Sequence, residues 1–115
     1  MRSTVVVTAA LLGLVMACGG DDGTNVTGDV TVGGGGNTFN PQTLTLSTKR
    51  AVTWTWAGGP HNVTFQDAVT SGNKSSGTFN RDFASDTSGT YRFRCTVPGH
   101  STSFTSGMVG SVVVP

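Results

Sequence analysis

The chain of 115 residues contains little charge and only two cysteines. Seven Lys and Arg residues nearly balance six Asp and Glu residues, and no basic patch favours nucleic-acid binding. Two cysteines are too few for a fold held by several disulfides. No long segment shows helical periodicity, whereas 17 glycines and many Ser and Thr residues surround short alternating runs. This length and this pattern predict one small all-β domain with many turns.

The longest apolar run lies at the amino terminus. A short positive start, Met1–Thr4, precedes residues 5–15, which are almost wholly apolar and too short to span a bilayer as a helix. The following Val15-Met16-Ala17-Cys18 resembles a bacterial lipobox, which implies cleavage before Cys18 and lipid attachment to it. We therefore predict a signal peptide over residues 1–17 and an exported protein, lipid-anchored to the bacterial membrane on its periplasmic or extracytoplasmic face. A buried strand or helix, or an ordinary secretory signal with an incidental cysteine, is the alternative.

The segment after Cys18 differs in composition from the rest of the chain. Residues 18–28 are rich in Gly, Asp, Thr and Asn, which is typical of a flexible tether. A disordered start without any spacing role fits this composition equally well. Residues 29–115 are then the folded domain.

Apolar and polar residues alternate in several short runs of residues 29–115, as in strands with one buried face. Residues 66–76 are polar and aperiodic, which predicts a loop, and Thr78–Phe79 and Asp82–Phe83 bracket a further strand or a bend. We expect Trp54 and Trp56 in the core, since each buries a large apolar area. The runs lie at 29–32, 43–47, 52–56, 61–65, 91–95 and 109–114. Their spacing predicts a β-sandwich.

Four side chains that bind soft metals lie at the ends of these predicted strands. Cys95 ends one strand, Pro98-Gly99 turns the chain and presents His100 beside the thiol, and Met108 opens the last run. His61 begins another run. Loss of Met1, Met16 and Arg2 with the signal, and acylation of Cys18, would leave these four as the only His, Cys and Met residues, and would leave six Lys and Arg against six Asp and Glu. Two His, one Cys and a weakly bound Met form the donor set of a blue-copper site.

At this point the sequence resembles the cupredoxin family, the plastocyanin/azurin-like type 1 copper proteins. The resemblance covers roughly residues 29–115. It rests on Phe39-Asn40-Pro41, Val52-Thr53-Trp54, Pro60-His61-Asn62-Val63, Tyr91-Arg92-Phe93-Arg94-Cys95 with Pro98-Gly99-His100, and Gly107-Met108-Val109-Gly110. It implies a Greek-key β-sandwich of about seven to eight strands that binds one copper ion.

The resemblance also implies roles for individual residues. His61, Cys95 and His100 would form the tight plane around copper, and Met108 would lie on the axis. Asn62 would tie the first ligand loop to the cysteine loop.

Thr96, which follows the cysteine, is a candidate hydrogen-bond partner in this second layer. The interval of seven residues from Ser101 to Gly107, between His100 and Met108, is longer than in many family members.

The function implied is one-electron transfer between redox partner proteins that dock near the exposed edge of His100. Pro60, Pro98, Gly99 and Gly107 would border an uncharged docking patch. Phe104 either joins this patch or is folded into its own loop. We expect a monomer. We expect no enzymatic activity, because the site has no open coordination position. Near-neutral charge argues against strong electrostatic steering as the main way of finding partners.

Three other functions use the same residues. Cys95 activated by His100 would suit a nucleophilic hydrolase, but the sequence shows no orienting third group and no oxyanion loop. A lipid-anchored sandwich that binds partners could carry the His, Cys and Met residues by accident. Copper storage or delivery would need ready release of the ion, which a closed four-donor site opposes.

Overall fold

The structure, a computed structural model, describes residues 28–115 as a β-sandwich. The predicted signal peptide, Cys18 and the tether up to residue 27 lie outside the described residues. The strands are β1 Val30–Val32, β2 Phe39–Asn40, β3 Thr43–Thr45, β4 Ala51–Trp56, β5 Thr64–Phe65, β6 Thr78–Asp82, β7 Gly89–Arg94, β8 Ser101–Ser103, β9 Ser106–Gly107 and β10 Val109–Val114. Within residues 28–115, no helix is long and apolar enough to cross a membrane.

Two four-stranded sheets form the two layers. The first has the order β2-β1-β4-β6, with β1 and β4 parallel, and the second has the order β3-β10-β7-β5, with β3 and β10 parallel. The strands β8 and β9 form a separate antiparallel hairpin. The prediction of an all-β sandwich of seven to eight strands is therefore confirmed, since the two sheets hold eight strands. The hairpin was not predicted.

One predicted strand is much shorter than expected. The run 61–65 is a strand only at Thr64–Phe65, although His61 and Val63 are buried as the alternation predicts. The amides of residues 61–63 donate to Lys74 O, Cys95 Sγ and Ser71 Oγ rather than to a neighbouring strand. The polar segment predicted as a loop thus accepts hydrogen bonds from two of these three amides, those of His61 and Val63.

Large side chains from both sheets fill the core between them. The indole of Trp54 packs edge-on against the rings of Phe65 and Phe93, with centroids 5.6 and 5.4 Å apart. Gly110 makes room for this packing, because a Cβ there would lie 2.5 Å from Cζ of Phe93. Both predicted core tryptophans are buried. The strand that ends at Cys95 is therefore anchored through Phe93 in the densest part of the core.

The pairings define two ends of the sandwich. At one end β7 finishes where β5 and β10 begin, since Arg94 pairs with both Thr64 and Val109. The ends of β1 and β4 lie there too, because Trp56 pairs with Val32 and donates from Nε1 to the carbonyl of His61 at 3.0 Å. We call this the His61 end.

Arg81 closes the opposite end. Its guanidinium lies 4.4 Å from the ring centroid of Phe65 and 4.9 Å from that of Phe83. Its two Nη atoms donate to the Asp67 carboxylate at 3.1 and 2.8 Å, and Asp86 lies 3.5 Å away. The hydrogen bonds from Arg81 hold the pKa of Asp67 below its usual value. This contact orders the loop after β5.

We predict that Asp67→Asn reduces the loss of stability in acid. Because the folded-state pKa of Asp67 is lowered, the charged carboxylate stabilises the fold above its unfolded pKa near 4, and this contribution disappears as pH falls through the folded value. Half of the Asp67 side chain is exposed, so the expected difference is at most about 1 kcal/mol. Urea unfolding at pH 6 and pH 3 measures it. Asp82→Asn, which removes a carboxylate without an arginine partner among the described residues, is the control for the change in net charge. A loss of stability between pH 6 and pH 3 that is as large in Asp67→Asn as in the parent would contradict the prediction.

Candidate metal centre

Three segments of chain bring the predicted ligands together at the His61 end. Cys95 directly follows β7, His100 directly precedes β8, and Met108 directly precedes β10. His61 lies between β4 and β5 and forms an isolated bridge with Lys74. The positions at strand ends that the alternation predicted for Cys95 and Met108 are those observed.

The donor atoms of three of these residues are close. Nδ1 of His61 lies 3.2 Å from Nδ1 of His100, and Sγ of Cys95 lies 3.4 Å from Nδ1 of His100 and 3.9 Å from Nδ1 of His61. All ligand atoms of this group lie within 4.8 Å of one another. One metal ion can therefore contact both imidazoles and the thiolate.

The centre is buried except at one ligand. Cys95 is 0%, Met108 1% and His61 5% exposed, whereas His100 is half-buried. Burial, and secondarily the neighbouring His100, lower the pKa of His61. The lowered pKa keeps His61 neutral, which is the form of imidazole that binds a metal.

Backbone hydrogen bonds connect three of the ligands directly. The Cys95 amide donates to the carbonyl of Met108 at 3.0 Å, and the Met108 amide donates to the carbonyl of His100 at 2.7 Å. Gly107 permits this approach, because its φ is +96° and a Cβ there would lie 2.5 Å from the His100 carbonyl oxygen. The backbones of Cys95, His100 and Met108 are thus held together by the protein itself.

The long interval between His100 and Met108 is accommodated as the β8–β9 hairpin. Ser101 pairs with Gly107, and the bond between Met108 N and His100 O closes the base of the hairpin. Ser103 pairs with Ser106, so Phe104 and Thr105 form the turn of the hairpin. The backbone of Met108 therefore remains bonded to Cys95 despite the longer loop.

Asn62 joins the loop of His61 to the loop of Cys95. It is buried, its Nδ2 donates to Thr96 Oγ1 at 2.9 Å, and its Oδ1 accepts from the Thr96 amide at 3.0 Å. The Asn62 amide also donates to Cys95 Sγ at 3.4 Å. The structure thus brings together the two residues, Asn62 and Thr96, that the sequence suggested as outer partners of the ligands.

Other partners of the site were not apparent from the sequence. Asn73 accepts a hydrogen bond from Asn62 Nδ2 at 2.8 Å, and Ser101 Oγ donates to the Cys95 carbonyl at 2.5 Å. The position of Ser101 directly after His100 is the one available signal for its role. Asn73 lies in the aperiodic loop and has no such signal, because its contact is set by the pairing of that loop with His61 and Val63.

The chemistry of the donor set fits copper. A thiolate and a thioether are soft ligands that suit Cu(I), imidazole suits both copper oxidation states, and hard cations prefer oxygen. No carboxylate joins the group of donor atoms in residues 28–115. The residues present therefore match a His₂Cys site with a nearby methionine.

We predict that Asn62→Ala weakens copper binding. The substitution removes the side-chain bonds that join the two ligand loops, and loss of such outer partners typically costs about 10–100-fold in metal affinity. Competition between the protein and a chelator for copper measures the affinity. The control is Asn80→Ala on β6, which removes one exposed hydrogen bond from Thr53 and should leave the affinity unchanged. Parental affinity in Asn62→Ala would contradict the proposed importance of the connection.

Comparison with known proteins agrees with this geometry. A sequence model of copper-binding proteins of the plastocyanin/azurin family matches residues 26–115. A purple cupredoxin from Nitrosopumilus maritimus is 22% identical, with a TM-score of 0.54 over 75% of this chain and 97% of that one. A mutant plastocyanin of a fern is 28% identical, with a TM-score of 0.52 over 75% of this chain and 98% of that one.

A copper-containing nitrite reductase from Thermus scotoductus is 17% identical with a TM-score of 0.56, but the match covers 75% of this chain and only 21% of the reductase. A comparison with curated protein sequences gives no match. The likenesses below 25% identity establish the shared sandwich fold, and the family model covers most of the chain. Together with the His61, Cys95, His100 and Met108 arrangement, they show that this chain belongs to the plastocyanin/azurin family of copper-binding proteins, the cupredoxins, and that its cofactor is copper.

Proposed function

We propose that this protein is a one-electron carrier that cycles between redox partners at the bacterial cell envelope. The observation that supports this most directly is the group of His61, Cys95 and His100 donor atoms, which is buried except at His100 and is held in place by hydrogen bonds within the protein. Bound copper supplies the Cu(II)/Cu(I) couple. A carrier needs ligands that keep their positions when the charge of the ion changes, and a rigid end of a sandwich provides them.

We assign each ligand a separate role. His61, Cys95 and His100 would hold the ion through two nitrogens and a thiolate, and Met108 would add a weak thioether ligand that favours the reduced state. The Asn62 amide donates to the Cys95 sulfur, which draws negative charge from it. Asn62 and Thr96 keep the two ligand loops at a fixed separation.

Burial of the thiol favours a carrier over a nucleophilic enzyme. Cys95 is 0% exposed and both imidazole Nδ1 atoms lie beside its sulfur, so a substrate could not reach the sulfur without opening the site. The closed set of donors likewise disfavours copper delivery. The similarity to a nitrite reductase covers about a fifth of that enzyme and does not by itself support an enzymatic role here.

We propose that electrons enter and leave near His100. This imidazole is the one ligand among the four that is not fully buried, and Pro98 and Gly99 beside it are exposed. Pro60 and Gly107 are exposed as well. Partners that exchange electrons dock briefly over small areas, for which a short path to a ligand matters more than a large interface.

The route to the membrane is proposed from the sequence alone. The apolar run before Cys18 and the lipobox-like Val15-Met16-Ala17-Cys18 support cleavage and lipidation at Cys18. Cys18→Ser should therefore release the protein from the membrane fraction of a bacterial host, as detected by fractionation and by the absence of acyl mass. A soluble parental protein without acyl groups would contradict the anchor and leave the copper function untouched.

Protein-film voltammetry of the copper-loaded chain tests the carrier function. We expect one reversible one-electron wave for the parent. The variant Met108→Gln should still bind copper but have a lower reduction potential, because a harder amide oxygen stabilises the oxidised ion more than a thioether does. Cys95→Ser should abolish the wave.

Two results would contradict the proposal. The first is no reversible wave for the parental protein. The second is a catalytic current that appears on adding nitrite, which would indicate an enzyme. An unchanged potential in Met108→Gln would count specifically against Met108 as the axial ligand.

A further inference from the structure

Charge is distributed unequally between the two ends of the sandwich. The four carboxylates of residues 28–115 lie toward the end opposite His61: Asp29 precedes β1, Asp67 follows β5, Asp82 ends β6 and Asp86 precedes β7. Two arginines are paired with them there, as Arg50 contacts Asp29 and Arg81 contacts Asp67 and Asp86. Three of the four carboxylates are thus paired with these two arginines. Asp67 also lines a groove with Arg92, without an ion pair between them.

The cations nearer the copper site have no such compensation. Arg92 and Arg94 lie on β7, whose next residue is Cys95, and Lys74 pairs through its backbone with His61. No carboxylate in residues 28–115 forms an ion pair with any of the three. A nearly neutral protein therefore presents a positive surface beside its metal centre.

Arg92 and Arg94 share the outer face of β7. Phe93 and Cys95 point into the core, so the residues between and before them point outward. Arg92 is exposed and lines a surface groove together with Phe104. We call Arg92, Arg94 and Phe104 the β7 face.

Arg94 links this face to the copper ligands. Its Nη1 donates to Ser101 Oγ at 3.2 Å, and the same hydroxyl donates to the carbonyl of Cys95. Its Nε is buried and has no hydrogen-bond partner in the structure, which leaves donor capacity unsatisfied. Ser101 directly follows His100, so the face adjoins the half-buried ligand.

Phe104 gives the face an aromatic component. It lies in the turn between β8 and β9, and the Arg94 guanidinium lies 5.2 Å from its ring centroid. Phe104 is half-buried, so part of the ring remains at the surface. Arginines and aromatic rings are enriched in protein interfaces, whereas lysine and acidic residues are depleted there.

From these observations we propose that the β7 face docks an acidic surface of a partner protein beside His100. The proposal rests on the electron-carrier function and adds the charge of the partner to it. Complementary charge would raise the rate at which the two proteins meet and would orient the partner over the ligand loop. This rate would fall as the ionic strength rises. It places a charged surface beside the uncharged patch of Pro60, Pro98, Gly99 and Gly107 that the family resemblance leads us to expect.

A protein partner fits the face better than an anionic membrane. Binding to lipid headgroups through charge is associated with clusters of about four to eight Lys and Arg residues. The β7 face has two arginines, and Lys74 belongs to a different segment of chain. Two guanidinium groups beside an aromatic ring suit paired carboxylates on a protein, since Arg binds carboxylates through two parallel hydrogen bonds.

The test uses the full chain loaded with diamagnetic Cu(I), and amide chemical shifts report binding of an octaglutamate peptide. We expect shifts centred on residues 92–94 and 101–104 that disappear when salt is raised from about 20 to 200 mM, well past the range in which exposed charges interact. Arg92→Gln should weaken binding several-fold without harming the fold, because its exposed side chain has no bonding partner in residues 28–115. Arg92→Gln/Arg94→Gln should abolish it. Lys49→Gln, at the opposite end, is the matched control and should bind as the parent does.

Several outcomes would overturn the proposal. They are shifts centred elsewhere, undiminished binding in Arg92→Gln, or equal weakening in Lys49→Gln. Binding to vesicles with 30% phosphatidylglycerol but not to the peptide would instead assign the face to the membrane. Shifts of residues 92–94 and 101–104 that appear on concentrating the protein alone would assign it to a second copy. Because binding is read without electron transfer, failure here leaves the voltammetric test of the carrier function independent.

Discussion

The copper site depends on three segments of chain being fixed against one another at one end of the sandwich. The amides of Cys95 and Met108 donate to the carbonyls of Met108 and His100, and Asn62 bonds to Thr96 across the gap from the loop of His61. These bonds place the donor atoms close together by means of the protein alone. Such ligands need not move far when the charge of a bound ion changes, which is the physical requirement for fast one-electron exchange.

The core and the surface support this site in different ways. Phe93, two residues before Cys95, packs against Trp54 and requires Gly110 opposite it, so the strand that carries the thiolate cannot shift easily. On the other face of the same strand, Arg92 and Arg94 bring positive charge to the neighbourhood of His100. One strand of alternating residues thus contributes a core anchor, a metal ligand and a charged surface, because successive side chains point to opposite faces.

The sequence predicted the elements whose signals are local. Alternation placed strands at 52–56, 91–95 and 109–114, close to the observed β4, β7 and β10, and the order of His61, Cys95, His100 and Met108 predicted the donor set. It made the strand at 61–65 too long, since only Thr64–Phe65 is a strand and the amides of His61 and Val63 bond to a polar loop that carries no periodic signal. The β8–β9 hairpin and the ion pairs of Arg81 also escaped prediction. The hairpin pairs residues 101–107, which carry no alternation of apolar and polar side chains, and the Arg81 pair with Asp67 joins segments 14 residues apart. The overall charge gave no indication that the charged residues separate toward two ends.

The visible absorption and EPR spectrum of the chain loaded with Cu(II) tests the central claim most directly, because both signals report a bond between the Cys95 sulfur and copper. The account predicts intense blue or green thiolate-to-copper absorption together with narrow copper hyperfine splitting. A pale spectrum with ordinary hyperfine splitting would show that the ion does not bind Cys95 and would contradict the arrangement of ligands on which the proposed function rests.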